Sequence, residues 1–264
     1  MDAFPELLTA TDPPPVEHIN AAGMAPVLIT CDHASRRVPR SLHNLGLDAA
    51  SLRLHIGWDI GAADVSRGLA RRLDAPAILA GYSRLVIDCN RDLDNPTSMP
   101  AVSDGVPVPG NQDLGPAARA QRVEALFKPY HRAVEAALDG FAARGHHPAV
   151  LSIHSFTPVM NGVARPWHIG ILWDKDPRMA VPMLAALRRE AGLVVGDNEP
   201  YSAREPAGYT VRTHAEKRGL PHLNVEIRQD LLATDAGTTE WAERLARVLT
   251  PILEDPALYH VKHY

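Results

Sequence analysis

The chain has few cysteines, no long apolar run and no strong net charge. Two cysteines in 264 residues, Cys31 and Cys89, are too few for a disulfide framework and suit a reducing compartment. No stretch is apolar over the length that crosses a bilayer, and the first residues lack the basic and apolar regions of a signal peptide. We therefore expect a cytoplasmic protein that has no membrane partner.

The composition is that of a soluble globular protein. Hydrophobic residues make up 45% and charged residues 22% of the chain, and the net charge of −4 argues against nucleic acid as a partner. The sequence shows no internal repeat, no linker between domain-sized segments and no low-complexity tract. We expect residues 1–264 to form a single domain, and the sequence does not indicate an oligomeric state.

Short apolar segments alternate with segments of helical spacing along the chain. The apolar segments predict strands at 26–31, 77–80, 85–88, 149–153, 167–173, 193–195 and 222–227, and the helical spacing predicts helices at 60–73, 116–144, 177–191 and 238–253. This alternation favours an α/β fold with a largely parallel sheet that is covered on both faces. Residues 92–115 are rich in Pro, Gly, Asn and Asp, and so long a loop is a candidate lid.

Asn90 and Arg91 follow the predicted strand 85–88 and are poor material for a core. An arginine is rarely buried unless it is paired, and its guanidinium matches a carboxylate in two hydrogen bonds, to which the Asn amide adds a donor. We interpret the pair as a clamp for an anionic substrate. The neighbouring Asp88 and Asp92 leave an internal ion pair open as the alternative.

Two histidines, His33 and His154, stand at the ends of predicted strands. Strand ends converge at one edge of a sheet, where a zinc site can gather three protein ligands and leave one position for water. The best third ligand is Asp59, which lies between two glycines at a predicted helix start. Each histidine has a structural alternative, since backbone hydrogen bonds can satisfy it, and Asp59 also suits a helix N-cap.

Glu226 is a carboxylate inside an apolar strand, where Val225 and Ile227 share the opposite face. Such a position is costly unless the carboxylate is paired or functional. Beside a metal-bound water it would act as a general base, and the alternative is an ion pair with Arg228 or Arg212.

Turn-rich segments between the later strands carry further polar side chains. Four of these side chains could line a pocket with hydrogen-bonding groups, and the alternative is an ordinary solvated loop: Asn198, Tyr201, Arg212 and His214. Phosphate-binding glycine loops, Gly-x-Ser-x-Gly elbows and Cys-x-x-Cys pairs are absent from the sequence, which argues against the corresponding chemistries.

Five segments together resemble the N-formylglutamate amidohydrolase (N-formylglutamate deformylase) family. They occur in order over nearly the whole chain: TCDHASRRVP at 30–39, HIGWDIG at 55–61, DCNR at 88–91, IHSF at 153–156 and NVEIR at 224–228. The family is in turn distantly similar to zinc carboxypeptidases and aspartoacylases. The resemblance implies a three-layer α/β/α sandwich around a central mixed, largely parallel sheet.

The resemblance also implies roles for the candidate residues. One Zn2+ would be held by His33, Asp59 and His154, the clamp would bind a substrate carboxylate, and Glu226 would be the general base. The related zinc enzymes carry a glutamate three residues after the first histidine, where this chain has Arg36, so Asp59 stands in by inference. We expect Arg36 to stabilise the developing oxyanion.

These roles describe a zinc-dependent amidohydrolase of amino-acid catabolism, such as histidine degradation. It would cleave N-formyl-L-glutamate, or a related N-acyl acidic amino acid, to the amino acid and formate. One alternative is a zinc amidase or peptidase that acts on another N-acyl amino acid or a short peptide. The other is a catalytically silent domain that binds a metal or ligand, which Arg36 favours.

Overall fold

A seven-stranded mixed sheet lies at the centre of the computed structural model, which describes residues 6–204 and 208–264. The strands along the chain are β1 (Val16–Ile19), β2 (Val27–Cys31), β3 (Ala77–Ala80), β4 (Val102–Ser103), β5 (Val106–Pro107), β6 (Ala149–Phe156), β7 (Val159–Met160), β8 (Val163–Ala164), β9 (Ile169–Leu172), β10 (Val195–Asp197) and β11 (His222–Arg228). The order in the sheet is β1-β3-β2-β6-β11-β9-β10, while β4 with β5 and β7 with β8 form two small hairpins. The pairs β1–β3 and β11–β9 are antiparallel, and the other neighbours in the sheet are parallel.

Six α-helices surround the sheet in the part of the chain that the structure describes. They are α1 (Ala62–Leu73), α2 (Pro116–Arg122), α3 (Lys128–Ala143), α4 (Pro177–Leu187), α5 (Thr210–His214) and α6 (Asp235–Leu253). A π-helical turn, Val123–Phe127, joins α2 to α3 without a break. The long helix therefore follows the predicted segment 116–144, begins with a proline and ends before Gly145, whose φ is +77°.

Alternate residues of the central strands face opposite helical layers. In β2, Val27 and Ile29 pack with α1, α4 and α6, whereas Leu28 packs with α3 on the other face. This alternation in strands that are buried on both faces explains their nearly continuous apolar sequences. The expected three-layer α/β/α sandwich is confirmed. Within residues 6–204 and 208–264, no helix combines the length and the apolar character that crossing a membrane requires.

Most predicted elements are confirmed, with ends that differ by a few residues, but the strand predicted at 85–88 is wrong. Leu85, Val86 and Ile87 are buried in a turn-rich segment after β3. Strand β1, the two hairpins and α5 were not predicted. Residues 92–115 are not a structureless loop, because they contain the hairpin β4–β5 and two turns of 3-10 helix.

Two buried polar side chains replace the sheet partners that the 85–88 segment lacks. Arg122, which is 2% exposed, donates hydrogen bonds to the carbonyl of Val86 (3.0 Å) and to Oδ1 of Asn111 (2.6 Å). The Asn111 amide in turn donates to the carbonyl of Leu85 (2.8 Å). An apolar segment can therefore stay buried outside the sheet, because the side chains of Asn111 and Arg122 satisfy its carbonyls.

Replacing Arg122 by Met should lower the free energy of unfolding by about 3 kcal/mol, because buried carbonyls lose a charged donor. The measurement is the midpoint of urea unfolding. The matched control is Arg132→Met on α3, an exposed position, which should shift the midpoint little. Equal shifts in both variants would contradict this role of Arg122.

Candidate metal and catalytic site

The candidate site lies at the carboxyl ends of the central parallel strands, on the face that α3 covers. His33 is the second residue after β2, whereas His154 and Glu226 lie inside β6 and β11. The parallel register places Glu226 directly beside His154, and Val225 and Ile227 point to the opposite layer. The predicted convergence of the strand ends is therefore seen, although His154 does not follow its strand.

Asp59 joins the two histidines. Its Oδ2 lies 3.3 Å from Nδ1 of His33 and 2.8 Å from Nδ1 of His154, and all three side chains are buried. Their ligand atoms lie within 4.8 Å of one another. Asp59 does not act as a helix cap, since the N-cap residue of α1 is Gly61 and makes no side-chain cap.

The far nitrogen of each imidazole faces another carboxylate. Nε2 of His33 lies 2.7 Å from Oδ1 of Asp88, and Nε2 of His154 lies 3.3 Å from Oδ2 of Asp32. Histidines that bind metals typically donate their second N–H to a carboxylate, which fixes the ring and its tautomer. The two imidazoles and one carboxylate, with both rings anchored from behind, therefore fit a divalent metal ion.

Electrostatics in the cluster favour charged groups. Burial alone raises the pKa of Asp59, but His33 and His154 outweigh it and hold that pKa far below its usual value. Burial lowers the pKa of His154, yet hydrogen bonds to Asp32 and Asp59 raise it well above the ordinary value. Burial and the charge of Arg84 also lower the pKa of His33, but Asp88 and Asp59 raise it by more, so that it lies above its ordinary value.

Glu226 is different, because its carboxylate makes no hydrogen bond to any residue of 6–204 or 208–264. It is 7% exposed, and its Oε2 is buried and makes no hydrogen bond within the described ranges. Burial first, and then the charge of Asp59, raises the pKa of Glu226 to about 7. The two arginines that could have paired with it are engaged elsewhere, Arg228 with Asp230 and Arg212 with Asp92.

A cavity of about 730 Å³ opens in front of these residues. It contains several groups that could contact a ligand: His33, Arg84, Asn90, Arg91, His154, Tyr201, Arg212 and Glu226. Its walls come from the 92–115 segment on one side and from residues 172–175 and 201–204 on the other. Four of the predicted binding residues therefore do lie at the cavity: Asn90, Arg91, Tyr201 and Arg212.

Three predicted site residues lie elsewhere. Arg36 is exposed, and its guanidinium carbon lies 5.3 Å from the ring centre of Trp58 instead of facing the cavity. Asn198 does not line the cavity but stabilises its wall, because its Oδ1 accepts hydrogen bonds from the backbone N–H groups of residues 173 and 203.

His214, the third, is buried behind the cavity wall. Its Nε2 lies 2.9 Å from Nδ1 of His131, whose Nε2 donates to the carbonyl of Cys89 at 2.9 Å. Burial, and then the nearby His214, lowers the pKa of His131 to about 4, so this pair is neutral at physiological pH. His214 therefore supports the segment before Asn90 and does not line the cavity.

Arg84 faces the site where Arg36 was expected, and the sequence reading missed it. Its Nη1 lies 3.4 Å from Oδ1 of Asp59, and its Nη2 donates to Oδ2 of Asp88 at 2.9 Å. The four-residue spacing of Arg84 and Asp88 is a signal of this pair in the sequence. In the predicted strand, however, both side chains would point to the same face, and the sequence names no third residue that both would contact.

Some hydrogen-bonding groups of the predicted clamp, Asn90 and Arg91, are already used within the protein. Oδ1 of Asn90 accepts hydrogen bonds from the backbone N–H groups of Tyr209 (2.7 Å) and Thr210 (3.0 Å), so only its Nδ2 can donate to a ligand. Nη1 of Arg91 donates to the carbonyl of Asn90 (2.9 Å).

Comparisons with known proteins agree with this architecture. The sequence pattern of the N-formylglutamate amidohydrolase family matches residues 25–233. The crystal structure of a gene product from Agrobacterium tumefaciens is 38% identical, with a TM-score of 0.90, over 94% of this chain and 98% of that one. The N-formylglutamate amidohydrolase of Ralstonia eutropha is 19% identical, with a TM-score of 0.67, over 91% and 97% of the two chains, and shows the shared fold. No curated protein matches the sequence.

Zinc affinity should fall as the pH is lowered from 8 to 6, by about tenfold or more. The pKa values of His33 and His154 are raised, so protons compete with the metal for the imidazoles and must leave before it binds. Titration against a competing chelator at several pH values measures the affinity.

A second test of the metal site replaces the carboxylate that both histidines contact and compares it with a matched control. Asp59→Asn should weaken zinc binding on the order of a hundredfold, whereas Asp174→Asn, which also lines the cavity, should not. A pH-independent affinity, or equal effects of the two variants, would exclude this cluster as the metal site.

Proposed function

Because the chain belongs to the N-formylglutamate amidohydrolase family, we propose that it hydrolyses N-formyl-L-glutamate, or a related N-acyl acidic amino acid, to the amino acid and formate. Family membership makes it an enzyme that cleaves amide bonds. The observation that carries the proposal is Glu226, a buried carboxylate that has no hydrogen-bond partner among the residues the structure describes. It faces the same cavity as three potential metal ligands. An unpaired carboxylate is costly to bury, so its persistence favours a role in proton transfer.

We propose that His33, Asp59 and His154 hold a zinc ion. Two imidazoles and a carboxylate are a common zinc ligand set, and they leave an open position. When bound, the ion would supply a Lewis acid for the amide carbonyl and lower the pKa of water. Asp32 and Asp88 would keep the two rings in the orientation that ligation needs.

Glu226 would move the proton that the reaction requires. As water attacks the formyl carbon, a C–O bond forms and the carboxylate of Glu226 accepts the proton of the water. The same proton then passes to the amide nitrogen, the C–N bond breaks, and the amino acid leaves. A pKa near 7 suits a group that must accept and then donate within one cycle. Arg84, which forms ion pairs with Asp59 and Asp88, would stabilise the oxyanion.

The substrate carboxylate would lie against Arg91 and Nδ2 of Asn90, with Arg212 nearby. All three residues line the cavity. A fixed carboxylate would hold the amide at attack distance from Glu226 and the metal ligands.

The size of the cavity favours a second candidate, a larger N-acyl amino acid or a short peptide. At about 30 Å³ per water, its volume of about 730 Å³ holds roughly 24 water molecules, whereas N-formyl-L-glutamate has about twelve non-hydrogen atoms. The cavity also extends along β11 from Glu226 to Asn224 and His222, about 13 Å at 3.3 Å per residue.

A panel of substrates separates the two candidates. The purified protein should release formate from N-formyl-L-glutamate, lose that activity after chelation and regain it with zinc. Measured kcat/KM values for the N-acetyl and N-succinyl analogues and for formylated dipeptides should be lower if the first candidate is right. Turnover confined to the larger compounds would support the second, and no turnover on any of them would argue against both.

Glu226→Gln should lower kcat by about 10²- to 10⁴-fold, since the amide cannot accept a proton. Zinc affinity should change little, because Glu226 is not one of the three clustered ligands. Glu216→Gln, a half-buried position on the same cavity, is the matched control and should keep near wild-type kcat. A Glu226→Gln enzyme of normal kcat would remove the proton-transfer role.

A further inference from the structure

Helix α5 is the element that touches both halves of the site. Its amino end is capped from another part of the chain, since Oδ1 of Asn90 accepts the backbone N–H groups of Tyr209 (2.7 Å) and Thr210 (3.0 Å). Asn90 also lines the cavity beside Arg91, and its Nδ2 is the atom of the amide that can donate to a ligand. The position of α5 is therefore tied to the position of the predicted carboxylate clamp.

The side chain of Thr210 extends this connection to the metal ligands. Its hydroxyl donates to Oδ1 of Asp32 at 2.7 Å, and Oδ2 of that carboxylate lies 3.3 Å from Nε2 of His154. Thr210 is 0% and Asp32 1% exposed, so water does not compete for these hydrogen bonds.

Asp32 has two donors on its first oxygen. The hydroxyl of Tyr130, on α3, donates at 2.6 Å, and Thr210 is the second donor. Tyr130 anchors the carboxylate to the rigid helical layer, whereas Thr210 anchors it to the short helix that Asn90 caps. The orientation of Asp32, and with it the ring of His154, is thus set partly from the substrate side.

We propose that Thr210 is a positioning residue that couples the carboxylate clamp to the metal site through Asp32 and His154. The inference rests on the proposed function, in which Asn90 and Arg91 bind a carboxylate and His154 a zinc ion. A carboxylate that fixes the Asn90 amide also fixes the cap of α5, hence Thr210, Asp32 and the ring of His154. By linkage, substrate and metal each tighten the binding of the other.

The test measures zinc affinity by chelator competition, with and without saturating L-glutamate as the carboxylate probe. In the wild-type protein L-glutamate should tighten zinc binding by about fivefold or more. Thr210→Val keeps the side-chain volume and removes the donor, so zinc affinity should fall by about tenfold and the effect of L-glutamate should shrink to less than about twofold.

The matched control is Thr213→Val on the same helix. The Thr213 hydroxyl is buried and has no hydrogen-bond partner in the part of the chain that the structure describes, so this variant should keep both wild-type values. Thr210→Ser retains the hydroxyl and should also keep the L-glutamate effect. Tyr130→Phe removes the other donor to Asp32 and should weaken zinc binding while the L-glutamate effect remains.

The outcomes separate this inference from the proposed function. If the wild-type protein hydrolyses N-formyl-L-glutamate but Thr210→Val keeps the L-glutamate effect, the coupling is wrong and the function stands. The coupling is also wrong, and the function stands, if the wild-type protein is active but L-glutamate does not change its zinc affinity. If it neither binds zinc nor hydrolyses the substrate, both fail. Circular dichroism checks folding, and Thr210→Ala replaces the Val variant if that one does not fold.

Discussion

The carboxylate of Asp59 holds the candidate site together. One of its oxygens faces an imidazole from the end of β2 and another from within β6, and its second oxygen faces Arg84. Burying a carboxylate and two imidazoles in this way is favourable only when the groups satisfy one another, or when a metal ion takes the place of the protons. The loop that carries Asp59 is therefore fixed against the edge of the sheet.

The sequence could predict the groups that lie on regular elements. His33 follows a strand, and His154 and Glu226 lie within strands, whose apolar residues are plain in the sequence. Parallel strands bring their carboxyl ends together. The side chains behind them could not be predicted in the same way. Apart from the bond between Arg84 and Asp88, their contacts with other side chains at the site join residues 25 to 178 positions apart, such as Thr210 and Asp32.

Two arginines show what the sequence alone does not predict. Arg36 and Arg84 both lie close in sequence to candidate site residues, and only the fold decides which of them faces the cavity. The error at 85–88 has a similar origin. An apolar segment predicts a strand because strands usually satisfy buried carbonyls, but here the side chains of Asn111 and Arg122 do so. A pattern of apolar residues contains no information about such distant donors.

The π-helical turn at Val123–Phe127 sets the relative rotation of the two ends of one long helix. On its amino side Arg122 satisfies the segment before the clamp, and on its carboxyl side Tyr130 and His131 hold Asp32 and the carbonyl of Cys89. The hydrogen bonds of a π-helical turn join each residue to the fifth one along, so the turn contains about one residue more than a turn of regular α-helix. A regular α-helix advances by about 100° per residue, so the same residues in regular helix would carry Tyr130 about that angle further around and away from Asp32. The turn therefore lets a helix of this length keep both contacts, and a relative without the turn would need one residue fewer here.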